Sequence, residues 1–229
     1  MYIAMPDNQP LNEGKNTMSV PKPEGPWLRP GETLVCFGDS LTAAENGYVK
    51  FLQEALSPQG IRVINAGLGG DKTPAALTRL KSDVIDRKPS AVSIFFGHND
   101  AVIGRGVWRD EPTVSPTTFG ENLRWIIHLC RLQGGISKFS INTTMPRMEG
   151  ERFWEYGDVR SPYCQAARRA ADAMDALLVP LDAIFADLRE RNIQRLSPEG
   201  LLYTVDGLHM NEEGYRIVAD AMLCAWGMH

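Results

Sequence analysis

Apolar and polar positions alternate along this chain in two periods, and the switches between them mark its elements. The first apolar run, within residues 33–38, has no polar side chain from Leu34 to Phe37 and reads as a buried strand. A helix over about 47–57 follows, with Tyr48, Phe51, Leu52, Ala55 and Leu56 at helical spacing and Pro58 and Gly60 closing it. A second strand covers 62–65, and the glycine-rich turn 67–71 leads to a helix over about 73–86 with Pro74 in its first turn. The third strand covers 92–96. Later elements are a helix at about 116–133, a strand at about 138–144, a helix at about 163–176 and a short strand at 178–181. Helices at about 183–192 and 212–226 complete the pattern, the last with Asn211 as N-cap and Glu212 and Glu213 in its first turn.

Five strands separated by helices predict an α/β fold, with one parallel, doubly wound sheet covered on both faces. Right-handed crossovers and the commonest strand order, 2-1-3-4-5, make it flavodoxin-like. Ahead of it, residues 1–30 hold Pro6, Pro10, Pro21, Pro23, Pro26 and Pro30 and predict an extended arm, with Trp27 and Leu28 available to pin it. The expected division is therefore arm 1–30 and domain 31–229. An extended arm can lie across another surface, so a homo-oligomer built through it is the assembly this suggests.

Composition changes the picture mainly by removing options. A chain of 229 residues that is 43% hydrophobic and 23% charged suffices for one domain with a full core. Net charge is −4 without a Lys/Arg cluster, so neither nucleic acid nor an anionic membrane is an expected partner. No apolar run approaches a transmembrane length. The start, residues 1–9, lacks the pattern of a signal peptide, so a cytoplasmic protein is expected unless a leader has been removed. Cys36, Cys130, Cys164 and Cys224 are too scattered for a zinc site, and Cys36, Cys130 and Cys224 lie in apolar stretches that suit buried thiols. The histidines, His98, His128, His209 and His229, are too few for a histidine-rich metal centre; His128 falls on the apolar repeat of its helix and is expected to be packed.

Candidate chemistry gathers at the strand ends. In open α/β sheets ligands bind beyond the carboxyl ends of the strands. With order 2-1-3, Ser40 after strand one lies between the glycine-rich turn after strand two and Asn99 after strand three. A serine attacking an ester needs an oxyanion site, which the Ser40 and Gly70 main-chain N–H groups and the Asn99 amide would supply. It also needs a base, and Asp206 three residues before His209 sets a carboxylate and an imidazole on one side of a tight turn. Each feature also has a plain structural use: Gly-Asp-Ser is a common turn, Gly70 fits any strand-to-helix turn, Asn99 can cap, and Asp-x-x-His is often a surface pair.

Taken together, Gly38-Asp39-Ser40-Leu41, the stretch from Asn65 to Asp71, Gly97-His98-Asn99-Asp100 and Asp206-Gly207-Leu208-His209 resemble the four blocks of the GDSL, or SGNH, hydrolase family. The resemblance implies a three-layer α/β/α fold and ester hydrolysis without a cofactor. It implies Ser40 as nucleophile, Asp206 and His209 as triad partners, and Gly70 and Asn99 in the oxyanion hole. Gly70 is chosen over Gly67 and Gly69 because it precedes the aspartate, as in the family pattern. Asp39 and His98 are expected beside substrate, although His98 can also point away.

Two loops, 104–112 and 146–162, should wall the cleft with Trp108, Phe153 and Trp154, near Arg109, Arg147, Met148 and Tyr156. Aromatic planes beside arginines suit a compact polar ester such as an acetylated sugar, although the same aromatics can simply anchor long loops. The expected partner is thus a small-molecule ester with a short or acetyl acyl group. The alternatives are a lysophospholipase or thioesterase for longer chains, and a catalytically silent binding protein of the same fold. A phosphate-binding domain fits less well, because the glycine-rich turn lacks both the P-loop and dinucleotide spacings.

Overall fold

In a computed structural model of the chain, the structure describes residues 25–102, 110, 112–145, 149–151 and 157–228. Five strands, β1 (Thr33–Gly38), β2 (Arg62–Gly67), β3 (Ala91–Phe95), β4 (Lys138–Asn142) and β5 (Leu177–Val179), form one sheet in the order β2-β1-β3-β4-β5. All four pairings are parallel. The described α-helices are α1 (Ser40–Ala43), α2 (Tyr48–Leu56), α3 (Thr73–Asp83), α4 (Pro116–Gly134), α5 (Ser161–Ala173), α6 (Leu181–Arg191) and α7 (Glu212–Ala225).

Alternation along each strand splits the core in two. Leu34 and Cys36 of β1 face a cluster with Leu52 of α2, Phe185 of α6 and Met222 of α7. Val35 and Phe37 face the other way, toward Leu80 of α3, Leu123 of α4 and Ala167 of α5. Helices therefore cover both faces, which is why the β1 and β3 side chains are almost all buried and read as near-continuous apolar runs. The fold class and strand order are those the pattern predicts.

Differences from the expected elements are local. The four-residue helix α1, which carries Ser40, is too short to show a periodic signal. Helix α3 ends at Asp83, and a 3₁₀ turn at Ile85–Arg87 takes over the rest of the expected span. His128 is exposed, lying edge-on to Trp125, because the buried face of α4 is set by Phe119, Leu123, Ile126, Ile127 and Cys130. Cys224 is likewise exposed while Cys36, Cys130 and Cys164 are buried. Cys224 follows the buried Met222 by two residues, about 200° around the helix.

The described end of the arm is pinned as expected. Leu28 is buried, the Trp27 N–H donates to the Trp226 carbonyl at 2.9 Å, and the two indoles meet at a tilt of 33° with centroids 5.1 Å apart. Trp226 donates in turn from Nε1 to Ser140 Oγ at 3.0 Å. Residues 1–24 lie outside the described part. None of the helices described is long and apolar enough to cross a membrane.

Candidate active site

The register brings three strand ends level: Gly38 of β1 pairs with Gly67 of β2 and with Phe95 of β3. From that common edge the chain runs two residues to Ser40, three to Gly70 and four to Asn99. Gly67 is needed for close approach, since a Cβ there would collide with the backbone of Ala43 in α1. Gly70 has φ +74, a left-handed turn conformation that favours glycine. The three glycines of this stretch thus differ in use, and Gly70 is the one whose backbone demands it. Among the described residues, no acceptor is paired with the main-chain N–H of Ser40 or of Gly70.

Ser40 opens α1, which Asp39 caps by accepting from the Leu41 N–H at 3.1 Å. Its Oγ lies 3.4 Å from His209 Nε2. His209 Nδ1 is 2.9 Å from Asp206 Oδ2, while Asp206 Oδ1 accepts from the N–H groups of His209 at 2.7 Å and Leu208 at 2.9 Å. Burial pushes the Asp206 carboxyl up, but the hydrogen bonds from His209 and Leu208 outweigh it and hold the group below the usual carboxylate range. A carboxylate on Nδ1 selects the tautomer with a bare Nε2, which faces the serine. The 3.4 Å separation exceeds a tight nucleophile–base bond, as is common before substrate closes the site.

Asn99 is half-buried, and its Nδ2 donates one hydrogen to the Asp71 carbonyl at 3.0 Å. That bond fixes the amide and leaves its second hydrogen to donate elsewhere. Asp100, the next residue, binds the Thr73 N–H at 3.0 Å and the Thr73 hydroxyl at 2.5 Å, tying the β3 loop to the start of α3. Burial pushes its carboxyl up to about 6.

Asp39 and His98, expected beside substrate, are 0% and 2% exposed. His98 Nδ1 lies 3.3 Å from Asp39 Oδ2, but neither atom has a partner in hydrogen-bonding geometry among the described residues. The imidazole packs edge-on against Phe95. Burial drives its pKa down, against the opposing charge of Asp39. The fully buried guanidinium of Arg160 also acts on this group; burial lowers its own pKa to about 10 while Asp39 opposes the shift. Trp108, Phe153 and Trp154 lie outside the described residues.

Two ions that sequence reasoning missed hold the site's halves. Glu149 is buried, and its Oε2 accepts from the N–H groups of Leu202 at 2.9 Å, Tyr203 at 3.0 Å and Thr204 at 3.0 Å, and from the Thr204 hydroxyl at 2.7 Å. Its main-chain N–H donates to the Gly207 carbonyl at 2.9 Å, so Glu149 brackets the loop that carries Asp206. Nothing in the local sequence around Glu149 signals this. Arg79 grips the β1 and β2 ends, and here a signal existed: Arg79 and Asp83 stand four apart on α3, with Asp71 two turns upstream.

A doubly wound sheet with Ser, His and Asp in one line of contacts at its carboxyl edge, beside main-chain donors unpaired among the described residues, is the arrangement expected of a serine hydrolase. The profile of the GDSL-like lipase/acylhydrolase family matches residues 36–217, and the chain belongs to that family. It is a carboxylic ester hydrolase of the GDSL type. It is 30% identical over 220 residues to the uncharacterized lipoprotein YqeF of Bacillus subtilis, covering 83% of this chain and 88% of that protein. Over 218 residues it is 28% identical to an acetylxylan esterase of Geobacillus stearothermophilus, covering 84% and 93%. The crystal structure of the acetyl xylan esterase AlAXEase superposes with a TM-score of 0.71 at 27% identity, over 84% of this chain and 98% of that one.

Proposed function

We propose that the chain hydrolyses a short-chain or acetyl ester, through an acyl-enzyme, with Ser40, His209 and Asp206 as its triad. The observation that carries this reading is the relay from Ser40 Oγ to His209 Nε2 at 3.4 Å and from His209 Nδ1 to Asp206 at 2.9 Å. His209 takes the Ser40 proton as Oγ attacks the ester carbonyl carbon, and Asp206 stabilises the imidazolium. The Ser40 and Gly70 N–H groups and the Asn99 amide meet the oxyanion. Collapse breaks the ester bond, and His209 returns the proton to the leaving alcohol. Water then attacks the acyl group, again giving its proton to His209, and the acid leaves with Ser40 restored. None of these steps calls for a cofactor.

An acetylated sugar is the substrate class we favour, since two of the similar proteins are named acetylxylan esterases. Leu68 and Val205, 51% and 63% exposed beside the site, favour a second reading with longer acyl chains. A series of p-nitrophenyl esters separates the two. The first reading expects acetate and butyrate to outrun decanoate; kcat/KM rising steadily with chain length, at about 0.8 kcal/mol per buried methylene, would replace it with a lysophospholipase or thioesterase. For the triad, a fluorophosphonate should label Ser40, and Ser40→Ala should cost on the order of 10⁶ in turnover. Activity within tenfold of wild type, on the order of 1 kcal/mol, would remove Ser40 as nucleophile.

A cytoplasmic location and assembly through the arm belong to the same proposal. Cell fractionation and the elution volume of a chain lacking residues 1–24 test them.

A further inference from the structure

The three donors proposed for the oxyanion come from three separate strand ends, so something must hold those ends at fixed spacing. The paired residues of the sheet end at Gly38, Gly67 and Phe95, and the bond beyond them, from the Leu68 N–H to the Gly38 carbonyl at 3.1 Å, also falls short of all three donors. Asn65 Nδ2 donates to the Thr42 carbonyl of α1 at 2.7 Å and Asp100 ties the β3 loop to Thr73, but Arg79 is the side chain that reaches β1, β2 and the Gly70 turn together. From α3, the Arg79 guanidinium donates through Nη2 to the Gly38 carbonyl and through Nη1 to the Ala66 carbonyl, both at 2.9 Å. Its Nε donates to Asp71 Oδ2 at 2.7 Å, and Nη2 lies 2.6 Å from the same oxygen. The guanidinium also lies over the Phe37 ring, 4.4 Å from its centroid. Arg79 is 13% exposed at its side chain and Asp71 is 1% exposed.

Two of these contacts lead to the three donors. Gly38 is two residues from Ser40. Asp71 follows Gly70 directly, and the Asp71 N–H closes the turn onto the Leu68 carbonyl at 3.2 Å. The Asp71 carbonyl holds the Asn99 amide at 3.0 Å. We propose that Arg79 is the positioning residue of the oxyanion hole, a single guanidinium that sets Ser40, Gly70 and Asn99 relative to one another. This rests on the assignment of those three donors under Proposed function.

The planar fork is what the task requires. It serves two carbonyls and the carboxylates of Asp71 and Asp83 at once, whereas the ammonium of lysine is a compact point charge that cannot reproduce that geometry. Losing the fork withdraws the guanidinium from the Phe37 ring and lets the two turns drift. Donors aimed at an oxyanion are sensitive to such drift, because misplacement near 1 Å costs about 10²-fold.

The test is Arg79→Lys, assayed on p-nitrophenyl acetate after titrating competent sites with a fluorophosphonate. The expected result is kcat per titrated site down by roughly 10–100-fold with KM changed by less than about threefold, since the ground-state carbonyl needs aligned donors least. An aryl boronic acid, which forms a tetrahedral adduct on a nucleophilic serine, should weaken in parallel. In an Asn99→Ala background the Arg79→Lys loss should shrink, because both changes damage one unit. If Arg79→Lys does not fold, Asp71→Asn removes one of its two ionic partners, leaves Asp83 and both carbonyl contacts, and should give a smaller loss of the same kind. A kcat per site within about twofold of wild type for Arg79→Lys, or for Asp71→Asn where that variant stands in, would overturn the inference, as would losses fully additive with Asn99→Ala. Should Ser40→Ala retain activity or Asn99→Ala keep its kcat, the reading of the site under Proposed function fails; loss in both beside a fully active Arg79→Lys sinks the clamp alone.

Discussion

Replacing Glu149 by Gln should loosen the loop that presents Asp206 and His209 while leaving every proposed reacting atom in place. In the wild type, Oε2 accepts four hydrogen bonds, from the Leu202, Tyr203 and Thr204 N–H groups and the Thr204 hydroxyl. Oε1 faces Arg189 Nη1 at 3.3 Å, and the glutamate and arginine side chains are only 6% and 19% exposed. The amide keeps the shape but loses the charge. Hydrogen bonds to a charged group contribute about 1.5–3 kcal/mol against about 0.5–1.5 for neutral ones. Four such bonds share one acceptor and cannot each change by the full difference, so about 2–4 kcal/mol is the expected loss. The Gln NH₂ would also face Arg189 with a donor where an acceptor stood. For a domain of this size each kcal/mol lowers Tm by about 2–4 °C, which gives a fall of roughly 4–16 °C by circular dichroism or calorimetry. Turnover of p-nitrophenyl acetate should fall as well, because Thr204 lies two residues before Asp206 and the Val205 N–H donates to the His209 carbonyl at 2.9 Å. A Tm within about 2 °C of wild type would show that the network is replaceable by water and refute this reasoning.

Asn99→Ala should lower kcat by roughly 10²–10³ with a smaller change in KM, measured on the same ester; a rise in KM alone would move Asn99 to the substrate pocket. His98→Gln should remove a pH dependence of stability. Burial holds the native imidazole neutral while the unfolded one takes a proton near pH 6.5, so wild-type stability is complete above that pH and falls below it by up to about 1.4 kcal/mol per pH unit. Asp100, raised to about 6, works in the opposite sense in both proteins, so the difference between urea titrations of the two carries the test; parallel curves from pH 7 to 5 would contradict it. EDTA should leave esterase activity unchanged, since among the described residues no group of His, Cys, Asp or Glu is arranged to hold a metal ion; loss reversed by a divalent ion would overturn this.

The sequence by itself determined the sheet, its order and the meeting of Ser40, Gly70 and Asn99 at one edge. Periodicity, strand count and the right-handed crossover rule leave few other arrangements for five alternating strands. The Asp206–His209 pair was also legible, because three residues around one tight turn fix a geometry that no distant contact need complete. The depth of side chains was not legible where apolar neighbours made both faces of a helix look alike, as at His128 and Cys224. Asp39 and His98 show the same limit: they precede Ser40 and Asn99 in sequence, and only packing decided that both side chains are buried. Only the tertiary structure decided which charges are buried. Glu149 finds its donors in residues 202–204, and Arg79, beyond the nearby carboxylates of Asp71 and Asp83, finds carbonyl acceptors on β1 and β2, at sequence separations that no local pattern encodes. A buried ion is stable only when its partners arrive together from elsewhere in the chain, so its place becomes readable once the fold has brought them there.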